Sequence, residues 1–211
     1  MLARQITAQW RRFLVRRDIQ AIEKREFSVL SSNCIGGRIY DVLGLPYLTP
    51  TVGLFLFPDC FLKFAANALH YVQQPLKQAK HSMYVSELTY PVATIDDVEI
   101  HFLHYGSFSD AADKWIRRSA RINFEQLYLS MTDRDGFEQR HERMFDELPI
   151  DAKVLFSCRP RASRHAVTIL EQGNSHHVGD LYTHYEAFYR NFSFSRWINV
   201  GGSYNNGFHQ N

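Results

Sequence analysis

Apolar positions along the chain switch repeatedly between a helical spacing and short continuous runs, and the switches predict the order of elements. Ile6, Trp10, Phe13, Leu14 and Ile22 recur at helical spacing with arginines between them, predicting an amphipathic helix within the first 26 residues. Residues 27–31 (FSVLS) predict a first strand that runs into Asn33-Cys34-Ile35-Gly36-Gly37. Arg38 to Leu43 then predict a short helix stopped by Gly44 and Pro46. The apolar run 53–57 (GLFLF), bounded by Pro58, predicts a buried strand. Asp59 is placed to cap a following helix whose apolar face is Phe61, Leu62, Phe64, Ala65, Ala68 and Leu69.

Val98 to Tyr105 predict a third strand, and Ser107 or Ser109 caps a helix running through Trp115 to about Arg121. Leu127 to Met131 predict a fourth strand, followed by a charged helix from about Phe137 to Glu147. Lys153 to Ser157 and Ala166 to Leu170 add two short strands, and Gly179-Asp180 opens a ring-rich helix broken near Asn191. Strands and helices alternate with short connections and no internal repeat. That order predicts an α/β fold: one compact domain with a mainly parallel sheet flanked by helices. Three segments follow: a basic helical arm over residues 1–26, an α/β body over 27–199, and a tail over 200–211 without apolar periodicity, expected to be disordered.

Charge sharpens this division. Residues 1–26 carry seven Lys/Arg against three Asp/Glu, a balance of +4, while the remainder carries 17 against 19. The net charge of +2 therefore averages a basic arm and a nearly neutral body. An arm of this kind suits docking on the body or peripheral contact with an anionic membrane face; no nucleic-acid motif accompanies it. Arginines interrupt every N-terminal apolar run, so no secretory signal is expected, and the most apolar window, Leu45 to Phe57, is too short and proline-rich to span a membrane. Three scattered cysteines without a CxxC pair suit a reduced cytoplasmic protein. The 16 Phe, 11 Tyr and 3 Trp can fill a core or wall a cleft.

Four clusters could carry chemistry. In Asn33-Cys34-Ile35-Gly36-Gly37, a strand-to-helix turn, Asn33, Gly36 and Gly37 could cradle an anion, and Cys34 could serve as a nucleophile. In Val98 to Tyr105, strand alternation puts His101 and His104 on opposite faces; His104 is the better base, and His101 is read as a structural histidine. Asp133-Arg134-Asp135-Gly136 places two carboxylates at a strand end, where they could hold a divalent metal or a sugar hydroxyl. Arg117 and Arg121, one helical turn apart, could clamp an anion.

The same segments carry a resemblance. Ser32-Asn33-Cys34-Ile35-Gly36-Gly37, Leu43-Gly44-Leu45-Pro46-Tyr47 and Thr51-Val52-Gly53-Leu54-Phe55 resemble a bacterial family with a domain of unknown function. Members of that family are often labelled exopolysaccharide biosynthesis proteins. Tyr90-Pro91-Val92, residues 99–105, Lys114-Trp115 with Arg117 and Arg118, residues 131–136, Gly179-Asp180-Leu181 and Trp197-Ile198-Asn199 continue it. The resemblance runs from about Phe27 to Asn199, leaves the basic arm outside, and departs at Ser32, where the family pattern often has Asn. It implies a compact α/β domain and a setting in surface-polysaccharide gene clusters, with no reaction attached.

The leading expectation is therefore a transferase of bacterial surface-polysaccharide synthesis acting on a sugar or nucleotide-sugar at the cytoplasmic face of the membrane. His104 would be its base, and Asp133 and Asp135 its metal or hydroxyl ligands. Asn33 to Gly37 would bind the donor's anionic part, with Arg117 and Arg121 as secondary contacts. A second expectation is an acyl transferase or hydrolase built on Cys34, His104 and Asp133. A third is a non-catalytic partner of a membrane assembly that docks through residues 1–26.

Overall fold

The computed structural model describes residues 13, 15–169, 176–185 and 191–202. Residues 15–21 form helix α1. Strand β1 (Ser28–Ser31) leads into α2 (Ile35–Leu43), and an irregular stretch precedes α3 (Pro58–Ala66) and α4 (Ala68–Gln73). A small three-stranded antiparallel sheet follows, β2 (Lys77–Gln78), β3 (Val92–Ile95) and β4 (Val98–His101), in that spatial order. Helix α5 (Phe108–Ser119), β5 (Leu127–Thr132), α6 (Gln139–Glu147), β6 (Lys153–Ser157), β7 (Ala166–Thr168) and α7 (Phe194–Asn199) complete the chain. The main sheet has the order β1-β5-β6-β7, and every pair in it is parallel. The molecule is thus a single compact α/β domain with a mainly parallel sheet, as the alternation of elements predicts.

Each main-sheet strand is buried on both faces, which is why these strands read as apolar runs rather than as alternating ones. Leu30, Leu129, Met131 and Leu155 face one core with Phe61, Phe64, Trp115 and Phe145 from α3, α5 and α6. Val29, Tyr128, Val154 and Phe156 face the other, with Ile39 and Tyr40 of α2 and Trp197 and Ile198 of α7. Most of the ring excess goes into these two layers. Strand β1 lies at the edge of the main sheet, and side chains close its open side. Val29 N donates to Tyr40 Oη and Ser31 N to Thr51 Oγ1, both at 3.0 Å.

Four elements differ from expectation, and one of them is the helix expected to open at Gly179-Asp180, whose described residues 181–184 form turns. The run 53–57 forms no strand; it crosses between the sheets. Leu56 N donates to Ser32 O (2.9 Å), and Phe55 exchanges two backbone bonds with His101 (2.9 and 3.0 Å). Its apolar side chains fill the seam, and a positive φ of 70° at Gly53 turns the chain into it. Val98 to Tyr105 is cut short at His101 and pairs antiparallel with β3 through a tight turn in which Asp96 has φ 52°. Helix α3 breaks at Asn67, and its N-cap is Phe57 with Pro58 at the first position; Asp59 pairs with Arg140 instead of capping.

The N-terminal segment is bound to the body. Asp18, 4% exposed, accepts from Ser193 Oγ, from Ser195 Oγ (2.5 Å) and from Ser195 N (3.2 Å) at the start of α7. Asn199 brackets the same contact: its Nδ2 donates to Ala21 O (2.7 Å) and its Oδ1 accepts from Glu23 N (3.0 Å). Ile22 enters the core beside α7. The helical arm expected over residues 1–26 lies partly outside the described residues, as does the tail expected over 200–211. Asp18→Ala removes the acceptor of three hydrogen bonds from a buried site and should cost about 3 kcal/mol. Urea unfolding of the full-length protein checks this, and a loss below about 1 kcal/mol would mean that the segment does not depend on that anchor.

Candidate active site

At the carboxyl ends of β1 and β5 lies a cavity of about 430 Å³. Its wall draws on Asn33, Cys34, His104, Thr132, Arg134, Asp135 and Asp180, with Phe55, Leu103 and Tyr182 among its apolar members. Open parallel sheets present loop backbone and side chains at this end of their strands, which makes it the usual place for a ligand.

Local chemistry builds each wall. Asn33 ties the end of β1 to that of β5, its Nδ2 donating to Thr132 Oγ1 (2.7 Å) while Oδ1 accepts from Ile35 N (3.3 Å). On the other side, Asp135 and Gly136 both take positive φ, 58° and 84°. That reversal separates two carboxylates only two residues apart: Asp133 turns into the protein and Asp135 lines the cavity. The Asp180 turn supplies the third wall. Its carboxylate accepts from Tyr182 N (3.0 Å), Thr183 N (3.3 Å) and Thr183 Oγ1 (2.5 Å), an Asx-type arrangement.

Asp133 does not join Asp135 as a metal ligand. Its side chain has no exposure; Oδ1 accepts from Val178 N (2.6 Å), and Oδ2 accepts from Ser157 Oγ (2.8 Å), Cys158 N (2.9 Å) and Arg161 Nη2 (3.2 Å). No group of three or more His, Cys, Asp or Glu among the described residues is arranged for a metal ion. The proposed Cys34, His104, Asp133 triad also lacks its third member in the cavity. Cys34 and His104 do line it, but burial first, and the Asp180 charge second, push the Cys34 thiol up to about 11. A thiol held neutral at pH 7 is a poor nucleophile.

The glycines expected to cradle an anion pack instead. Both lie in the buried first turn of α2, where a Cβ on Gly36 would sit 2.5 Å from Ser31 Cβ and one on Gly37 would sit 3.1 Å from Val52 Cγ1. Gly36 lets the helix approach β1, and Gly37 lets it approach Val52 in the irregular stretch that follows. Arg117 and Arg121 are exposed and line no part of the cavity; α5 ends at Ser119, so Arg121 lies past its last turn. Ala111 and Trp115 mark the buried stripe of α5, and it is Arg118 that turns inward, donating to Tyr105 Oη (2.6 Å). His101, fully buried, stacks on Phe55 at 4.7 Å between the two sheets. Its Nε2 lies 2.8 Å from Glu99 Oε1, and burial, only partly offset by that carboxylate, lowers its proton affinity.

Asp180, Thr183, Thr132 and the side chain of Arg134 complete the site without having been given a ligand role from the sequence, while Tyr182 belongs to the ring-rich stretch that the sequence offers as a cleft wall. The one local sign is Asp180-x-x-Thr183 directly after Gly179, the pattern of a side-chain-closed turn. Electrostatically, the two cavity carboxylates diverge. Burial pushes Asp135 above the ordinary carboxylate range, only partly offset by Arg134, His177 and His101. Burial also raises Asp180, but its hydrogen bonds from Thr183 and Tyr182, with the Arg134 charge, outweigh that and hold it below the usual value. Asp135 therefore binds a proton more readily than Asp180, the divergence expected of an acid–base pair in which Asp135 is the stronger base.

The fold and cavity therefore define an α/β protein with a pocket of mixed polar and apolar lining at the carboxyl end of its parallel sheet. The chain belongs to the family described as "Domain of unknown function (DUF1919)", which it matches over residues 6–199. That match takes in most of the basic segment, which the resemblance read from the sequence left outside. The chain is also similar to an uncharacterized protein of Haemophilus influenzae, 34% identical over 194 residues that cover 89% of this chain and 92% of the relative. No helix among the described residues is long and apolar enough to cross a membrane.

Because Asp135 titrates higher in the folded chain than in the unfolded one, folding is favoured by its proton. That contribution is complete below the unfolded value near 3.8 and is lost as pH rises through the folded value. Asn cannot titrate and tolerates a φ of 58°. Asp135→Asn should therefore melt higher than wild type at pH 7.5, with the difference closing toward pH 4. A constant difference across that range would contradict the shift.

Proposed function

We propose that the chain is a transferase of bacterial surface-polysaccharide synthesis, acting at the cytoplasmic face on a sugar held in the Asp135–Asp180 cavity. The observation that carries the reading is the pair of carboxyls with opposite shifts in one pocket at the carboxyl end of the parallel sheet. The surrounding groups suit a polyol. Asn33, Thr132 and Thr183 offer hydrogen-bonding atoms, and Phe55 and Tyr182 offer ring surface for the C–H face of a sugar. Arg134 is the one guanidinium among the described lining residues, and the ionised Asp180 offsets it, so the cavity fits a sugar ring better than a bare diphosphate.

In this mechanism Asp135 takes the proton of an acceptor hydroxyl while its oxygen bonds to the donor's sugar carbon. The bond to the donor's leaving group breaks, and the leaving group departs with the electron pair. Asp180 stays anionic and orients a neighbouring hydroxyl. His104, exposed at the rim, is placed to exchange the proton with solvent. The setting in polysaccharide synthesis comes from the family resemblance.

Deleting the gene from a bacterium that encodes this chain should remove or shorten its surface polysaccharide. A wild-type copy should restore it, and an Asp135→Asn copy expressed to the same level should transfer at about one hundredth of the rate or less. An unaltered polysaccharide after deletion, or full restoration by the variant, would overturn the reading.

A further inference from the structure

On α2, Arg38 and Asp41 follow Cys34 at the fourth and seventh positions and therefore share its side of the helix. Tyr182, part of the cavity wall, reaches onto this side. Its ring centre lies 5.2 Å from the Arg38 guanidinium carbon, and its hydroxyl donates to Asp41 Oδ2 at 3.4 Å. Tyr185 stacks on the same guanidinium at 4.1 Å. From beyond, the Tyr47 hydroxyl donates to Asp41 Oδ1, and Arg118 lies 5.0 Å over the Tyr47 ring. Tyr182, Asp41, Tyr47 and Arg118 thus form one connected strip leaving the cavity. Cys34 and Asp41 alone are separated by about 10 Å of helical rise.

The strip's chemistry narrows what it can hold. Its tyrosines combine flat apolar surface with hydroxyls, and its guanidiniums and carboxylate offer donors and acceptors side by side. Burial, and then the bond to Asp41, push the Tyr47 hydroxyl up to about 12, so it remains a donor at neutral pH. The ring–cation stacking orders these side chains in advance, which lowers the entropy cost of binding. A polyphosphate would meet Asp41 on the strip and Asp180 in the cavity, whereas a neutral chain rich in hydroxyls meets matched partners at both. We infer that the strip is a subsite for the following units of an oligosaccharide whose terminal sugar occupies the cavity. The inference rests on the reading of the cavity as a sugar site and adds that the substrate is a chain.

Calorimetric titration of the full-length protein tests it. The probes are neutral oligosaccharides of graded length, from one sugar unit to six, released by partial hydrolysis from the surface polysaccharide of the encoding bacterium, and UDP as the anionic comparison. Affinity should rise about tenfold or more from the shortest to the longest sugar. Tyr47→Ala should cancel that gain, while Tyr47→Phe, which keeps the ring, should retain most of it. Sugar binding without length dependence, or length dependence surviving in Tyr47→Ala, overturns the strip and leaves the cavity reading standing. No sugar binding at any length overturns both. UDP binding that disappears in Arg118→Ala would make the strip a phosphate site and overturn the assignment to a neutral chain.

Discussion

The candidate site depends on one buried carboxylate that lies beneath it. Asp133 collects four donors from the end of β6, from Arg161 and from Val178, so it holds the returning segment of the chain against the carboxyl end of the sheet. Burying an ionised carboxylate is costly, yet these hydrogen bonds more than offset the burial and keep Asp133 below its ordinary value. A carboxylate satisfied in this way fixes geometry. Two residues beyond Val178, the Asp180 turn closes on Tyr182 and Thr183 and becomes a wall of the cavity. Without that tie, the strand ends and Asn33 would make an open ledge.

Asp135 shows the opposite arrangement. The same four-residue turn places it at positive φ and gives it partial burial without a set of donors matching that of Asp133. The cost of its charge is therefore only partly compensated, and its proton affinity rises. Two aspartates in one D-x-D unit thus divide the work, one stabilising the fold and the other held at a less favourable state where a reaction could use it. The same division separates the pocket-facing Cys34 from the packing glycines Gly36 and Gly37 that bring its helix close to Ser31 and Val52.

Much of the fold was legible because burial on both faces of a parallel strand leaves an unbroken apolar run. Residues 27–31, Leu127 to Met131 and Lys153 to Ser157 all read that way and became β1, β5 and β6. The run 53–57 has the same composition but joins two sheets; local pattern reports burial and not pairing. The short antiparallel strands β2 and β3 carried too few residues for a periodic signal. At the site, Asn33, Cys34, His104 and Asp135 were visible as polar residues near expected strand ends, and all four line the cavity. Asp133 looked equivalent to Asp135 because a one-residue spacing does not show which carboxylate turns inward; a positive φ decides that. Asp180 was hidden because its wall is made by a contact over 45 residues, from Val178 to Asp133.

The central claim is that the Asp133 carboxylate assembles the site by holding the Val178 segment. Residue-resolved hydrogen exchange on wild type and Asp133→Asn tests it most directly, because Asn presents an N–H₂ group to donors that need an acceptor. Exchange at the Val178 amide should accelerate about tenfold or more in the variant, while the Leu129 and Leu155 amides within the sheet stay protected. A Val178 amide equally protected in both proteins would contradict it.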